Sequence, residues 1–378
     1  MIPSSHVLRY LAFLGLMLCF FACQRSAVKE GIYEIEENSK QVGRIDSSYT
    51  FKGQVSAFFQ DSQNNYWIGS KSSGLCVFNG QYYTYYTVQD GLVAHEITSI
   101  QEDQHGRIWV DQGAYLSVFD GKAWTVYAKG QVLSLDILGE GLQLSDDDLW
   151  FSDVSRLGVF RYDGERLSFI SFEDKSIDLK LDNQHFFISG VTDLVSGQIW
   201  FGTIMQGVLG FDGKQFEHIH NGKMDFESEE EFLHVRSILS DSKGNLWIGN
   251  NGIGLLKKNA NGIQNFSKEK GLLLPFEEFE SNIFSKRSEL NTGLQAVFAI
   301  EEDAEGNIWF GERDSGLWKY DGNQLYNYPE IYQVHGLEEM IWDICAATDG
   351  HVYCLLIDGR IFSFDGDIFS EFEGFEKT

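Results

Sequence analysis

The chain has 378 residues, with 56 acidic against 29 basic side chains and a formal net charge of −27. That balance argues against nucleic-acid backbones and anionic membrane surfaces as partners, since both need clustered Lys and Arg. It leaves calcium, cationic ligands or a basic protein face open, although solubility of a secreted domain is the plainer reading. Aromatics reach 15% and prolines number three, as suits paired strands packed sheet on sheet.

The first 22 residues stand apart. One basic residue, Arg9, precedes the apolar run LAFLGLMLCFFA, which is too short to cross a bilayer and fits a signal-peptide core. Ala22 then precedes Cys23, followed by polar Gln24-Arg25-Ser26. A small residue before Cys at this point resembles a bacterial lipobox, which implies Cys23 as a lipidated first residue. An ordinary secretory signal cut elsewhere, or a retained anchor, is the alternative. The expected organisation is a lipoprotein signal peptide over 1–22, a polar tether with a strand leading into the ring over 23–50, and one repeat domain over 51–378.

From there the chain is periodic. A strand tryptophan recurs as Trp67, Trp109, Trp150, Trp200, Trp247 and Trp309, with Tyr353 in a seventh copy. Three residues before each aromatic stand Asn64, Gly106, Asp147, Gly197, Gly244, Gly306 and Gly350, types that tolerate positive φ in a tight hairpin. After each aromatic comes an Asn-Gly or Asp-Gly pair, from Asn79-Gly80 to Asp365-Gly366, the strongest two-residue hairpin signal. Each copy therefore reads as four short strands, here called a to d, that cannot bury both faces alone. Seven copies predict an all-β fold: a seven-bladed β-propeller with four antiparallel strands per blade. The seventh copy supplies all four of its strands, and residues 41–51 either add a strand to the ring or lead into the first blade.

The segments VRSILSDSKGNLWIGN (235–250) and FAIEEDAEGNIWFG (298–311) carry a pattern that resembles the two-component regulator propeller repeat. The resemblance covers about residues 54–375 and implies a ligand-binding, sensor-type propeller on the extracytoplasmic side. In that family the propeller is followed by a membrane helix and a kinase. This chain shows neither after the last blade, so the expectation is a membrane-anchored binding module of the bacterial cell envelope, periplasmic or outer-surface, without its own output domain. A structural scaffold docking an envelope protein is the second expectation. A streptogramin-lyase-like, metal-dependent enzyme is the third; His335 and Glu338 lie on the right face for it, without a lyase motif around them.

Function is expected where the copies differ. In a propeller the d–a connections and b–c loops share one face, and long variable loops on a rigid scaffold favour binding. The stretches 173–186, 220–233, 267–294 and 327–340 are the long ones. The third holds Phe276, Phe279, Phe284, Lys286 and Arg287. Residues just past each aromatic, with starts of the a strands, form the expected ligand-binding ring: Ser70, Lys71, Gln112, Asp153, Thr203, His234, Asn250, Asn251, Glu312, Arg313 and Asp314, joined by Gln54, Glu96, Gln131 and Gln295. Such amides and mixed charges suit a polar small molecule, a glycan or a protein surface. No cofactor is expected.

Other chemistry is weaker. Asp61, Asp103, Asp241 and Asp303 sit in turns but lack alternating calcium-loop carboxylates, so turn capping is expected. Asp146-Asp147-Asp148 belongs to the same turn class. His218 and His220 share a strand face without an evident third metal ligand. Cys345 and Cys354 flank the seventh copy's first turn; the bulged turn of the other copies puts them on opposite faces, unpaired, whereas a two-residue loop would set them opposite each other.

Overall fold

The computed structural model describes residues 54–135, 141–153, 156–172, 188–194, 196–204, 206–224, 233–273, 293–333 and 340–372, with the short strands Ile32–Tyr33 and Arg44–Ile45. It is a seven-bladed β-propeller of antiparallel sheets in chain order. The innermost strands are Val55–Gln60, Ser99–Glu102, Ile188–Val191, Val235–Ser240, Val297–Glu302 and Ile341–Ala346 in blades one, two, four, five, six and seven. Helix is minor, limited among the described residues to single turns such as Phe266–Glu269 and Glu330–Gln333.

Turn chemistry sets the a–b hairpins. In blade one Gln60 pairs with Tyr66, and Asn64 closes the intervening turn at φ 64°. The turn aspartate does two jobs. Asp241 accepts the backbone N–H of Lys243 and Asn245 and the Trp247 indole N–H at 2.8 Å. Asp61, Asp103 and Asp303 hold Trp67, Trp109 and Trp309 in the same way. The expected capping role is thus met by these side chains.

Each b-strand aromatic then packs forward onto the next blade. Trp67 meets Phe119, Trp109 meets Phe151 and Tyr162, Trp150 meets Phe201, Trp247 meets Phe310, and Trp309 meets Phe364. The glycine two places on allows the close approach. A Cβ on Gly69 would lie 2.5 Å from Ile97 of the next blade, and one on Gly311 would lie 2.6 Å from Ile341. Burying these rings between sheets is the main apolar contribution to the ring.

Among the described residues, blade seven closes on blade one without a shared sheet. Tyr353 packs on Phe58 and Tyr66 at 5.3 and 5.2 Å, and the Thr348 backbone N–H donates to Gln60 Oε1. The same clasp recurs where Ser62 donates to Glu102 and Ser242 to Glu302. Of the residues 41–51, Arg44–Ile45 add a fifth, outermost strand to blade one, while Ile32–Tyr33 do so for blade two. Cys345 lies opposite Tyr353, and Cys354 opposite Ile344. This is the shifted register expected from the repeat, and both thiols are free.

Blade three shows three strands among the described residues. Its described strands are Leu149–Ser152, Gly158–Tyr162 and Leu167–Ser171. Gln131, expected at the start of an inner strand, instead ends the single turn Lys129–Gln131. The chain beyond it runs along the outer strand: Leu135 N–H donates to Phe169 O at 2.7 Å, and Ser134 bridges Phe169 in parallel.

Candidate functional site: the central channel and its mouth

The b–c loops and d–a connections do share a face. Lys71 N–H reaches Gln54 O, Ile97 N–H reaches Ser70 O, and Asn251 N–H reaches His234 O. Most of the expected ring residues on this face are buried and engaged within the chain. Ser70 Oγ accepts the amides of Ser72 and Ser73. Thr203 Oγ1 donates to Gly207 O and accepts Gln206 N–H. Gln112 bonds Ala94 O and accepts from Ser117, Gln295 donates to Gly252 O, and Asp153 accepts from Arg156 at 2.8 Å. Asn250 donates to Ile248 O, yet its Oδ1 has no partner; Asn251 is also buried.

Blade six concentrates three of these residues. Arg313 grips Asp314 in a bidentate pair at 2.7 Å. Glu312, fully buried, accepts from the amides of Ala296, Asp314 and Ser315 and from the Ser315 hydroxyl. Burial and the Asp314 carboxylate push Glu312 up to about 7 against those donors. This is a loop brace of charge-assisted bonds. Lys71 is exposed and His234 half-buried. Burial and neighbouring Arg236 hold His234 down to about 4, so it is neutral at pH 7.

Inside the ring lies a cavity of about 810 Å³ lined chiefly by innermost strands, from Phe58 and Gln101 round to Glu301 and Cys345. Deep in the channel, Asp193, Glu301 and Asp343 face the space. Burial, then Asp343, Asp193 and Glu302, push Glu301 up to about 8; burial raises Asp343 to about 6.

Nearer the mouth, each of five innermost strands carries a β-bulge that skips one residue: Ser56, Ser189, Arg236, Phe298 and Trp342. A bulge re-aims its side chain out of the regular alternation. Here the re-aimed side chains lean on the next blade. Ser56 Oγ donates to Ile97 O at 2.6 Å, the Arg236 guanidinium lies 4.9 Å from the Phe298 ring centre, and Phe298 lies 5.9 Å from Trp342. Sequence reading missed this arc. Its one signal is the variable second residue of the repeat's opening V-x-S, which is Ser, Arg, Phe or Trp in different copies.

The two histidines are used locally: His218 Nε2 bonds Gln206 O, and His220 Nδ1 accepts Gly222 N–H. No group of three or more His, Cys, Asp or Glu with metal-holding geometry occurs among the described residues. Cys23, His335, Glu338 and the aromatic and basic residues of 274–292 lie outside the described residues.

Fold and repeat together define a seven-bladed β-propeller. Residues 231–252, which span the inner hairpin of blade five, match the family described as two component regulator propeller. A histidine kinase of Formosa agariphila is 24% identical over 213 residues, which are 53% of this chain and 14% of that protein. The extracellular domain of a putative hybrid two component system from B. thetaiotaomicron has a similar structure, with TM-score 0.58 and 20% identity over 86% of this chain and 41% of that one. Virginiamycin B lyase from Staphylococcus aureus is also similar in fold, with TM-score 0.57 and 14% identity over 85% of this chain and 98% of that one. The chain thus spans a small part of the kinase and under half of that extracellular domain.

Proposed function

We propose that this protein is an extracytoplasmic, sensor-type binding module, anchored to the envelope through lipid on Cys23, that receives a polar small molecule or glycan in its channel mouth. The observation that carries this reading is the cavity of about 810 Å³ inside the ring, where Gln101, Asp193, Glu301, Trp342 and Asp343 line one space on rigid inner strands and their turns. A preformed concave site with a few convergent polar groups is the usual form of a small-molecule site. The likeness to the extracellular part of a two-component system supports the same reading. A thermal-shift screen of the full chain against glycans and divalent metals tests it. A ligand at a hundredfold its Kd adds about 2.7 kcal/mol of stability by mass action, so a clear rise in Tm with one ligand class is expected. No shift with any small molecule, together with crosslinking to an envelope protein, would favour the scaffold reading instead. Turnover lost on chelation would favour the lyase.

A further inference from the structure

The wall of the channel cavity is one-sided in charge. Among the described residues it carries Asp146, Asp193, Glu301 and Asp343, and no Lys, Arg or His. Asp148 lines it too, but Arg161 takes up that carboxylate at 2.7 Å. Elsewhere in the ring buried acids are matched in the same way, Asp111 by Lys129 and Asp314 by Arg313. Glu301 is not matched. Its carboxyl is enclosed by protein at the cavity wall and has no hydrogen bond or ion pair among the described residues. The groups that face it, Asp343, Asp193 and Glu302, are all acids. Cys345 stands beside Glu301 and Asp343, and burial keeps its thiol protonated, so it offers no compensating charge. Asp343 accepts only the amide of Ile344. Enclosed carboxyls are normally paired or well supplied with donors, so a set that lacks both calls for an occupant. Trp342, adjacent to Asp343, lines the same space with 38% of its surface exposed, and Phe298 backs it at 5.9 Å. Ile100, Phe151 and Ile344 add apolar wall.

We infer that this cavity binds a small organic cation, an ammonium head on an apolar body, with the head held among Glu301, Asp343 and Asp193 and the body laid against Trp342. This inference rests on the sensor-type reading above and names the ligand class of that cavity. An ammonium supplies what the wall lacks, a positive charge for carboxylates that have no other. An aromatic face attracts the same cation, and the apolar wall takes its hydrocarbon part. The space of about 810 Å³ suits a molecule of this size. A bare metal ion is a poorer occupant, because no metal-holding group occurs among the described residues. The net charge of −27 draws cations towards the ring from a distance. Burial and the neighbouring acids push Glu301 up to about 8, and burial pushes Asp343 up to about 6. A bound cation favours the ionised carboxyls, so binding expels protons and tightens as pH rises from about 6 to about 8.

The test measures affinities of the full chain by calorimetry at constant ionic strength for tyramine, choline, their neutral isosteres (an ethylphenol and a dimethylbutanol of the same shapes) and calcium chloride, with Tm recorded for every variant without ligand. At least one ammonium compound is expected to bind tenfold or more tightly than its isostere. Which of the two responds tells a primary amine from a quaternary one. Its affinity should rise with pH, and proton release should show as a dependence of the heat on the buffer used. Glu301→Gln removes a like-charge repulsion and so keeps the fold. It should cut ammonium affinity and flatten the pH dependence, leaving the isosteres unchanged. Asp343→Asn, which still accepts the Ile344 amide, should act in the same direction, and Trp342→Ala should weaken ammonium compounds and isosteres together. Equal binding of ammonium compounds and isosteres, calcium binding as tightly as either amine, or a preference that survives Glu301→Gln and Asp343→Asn overturns the organic-cation inference. The sensor-type reading then stands if another small molecule in the thermal-shift screen binds. Absence of binding by every small molecule overturns both.

Discussion

The aspartate of the a–b turn is the residue that makes a blade out of this sequence. In blade five one carboxylate serves two backbone amides, the Asn245 side chain and the Trp247 indole. Trp247 is 1% exposed, so its N–H has no solvent to turn to. Asp241→Ala therefore leaves a buried donor unmet and loosens the turn together. Each such loss costs about 1–3 kcal/mol. The expected outcome is a folded protein destabilised by about 2–4 kcal/mol in urea, with Asp241→Asn, which still accepts, closer to wild type. A loss below 0.5 kcal/mol for Asp241→Ala would mean that packing alone holds the tryptophan.

At the scale of elements, the seam between blades two and three is held by side chains that reach backbone carbonyls. The carbonyls of Trp150 and Ser152 face the channel side of blade three, and side chains take them: Gln101 Nε2 at 2.9 Å and Lys129 Nζ at 2.8 Å. Lys129 also grips both oxygens of Asp111, at 2.7 and 2.8 Å, with 3% of its surface exposed. Removing one member of a buried pair strands the other charge and costs about 3–5 kcal/mol. Lys129→Met should show that loss by chemical denaturation, and adding Asp111→Asn, which still accepts the Gly113 amide, should recover most of it. Equal stability of the single and double variants would show that the seam depends on Lys129 packing rather than on its charge. Such elements also show what a sequence reveals. The turn aspartates, Asn64 and the Asn-Gly or Asp-Gly hairpins were legible because their chemistry lies within a few residues of chain. The bulges at Arg236, Phe298 and Trp342 were not, because a register slip is settled by the partner strand and by what the next blade offers the side chain. Glu312, Arg313 and Asp314 read as an exposed polar ring. Whether such residues face solvent or brace one another depends on loop packing, which no local spacing records.

For the whole molecule, two sets of carboxyls with opposite shifts share one ring. Asp103 and Asp303 would be raised by burial, but indole, amide and side-chain donors outweigh it and hold both below their usual range. Asp120, Asp212 and Asp365 at the c–d hairpins are lowered chiefly by turn amides. A lowered folded pKa gives stability that is present above the unfolded value of about 4 and is lost as pH falls through the folded one. The channel carboxyls run the other way. Glu301, pushed to about 8, and Asp343, to about 6, favour the protonated fold. Their contribution is complete below about pH 4 and is lost as pH rises through 6 and then 8. The net charge of −27 adds self-repulsion along the same limb. Thermal stability should therefore peak near about pH 5, fall on the acid side as the turn aspartates protonate, and decline steadily to about pH 9. Glu301→Gln isolates the channel from the general charge. It should leave Tm at pH 5 unchanged and raise it at pH 8 to 9, flattening the upper limb. A variant whose profile runs parallel to wild type from pH 5 to 9 would show that Glu301 ionises freely in the channel, and that the alkaline decline belongs to the surface charge alone.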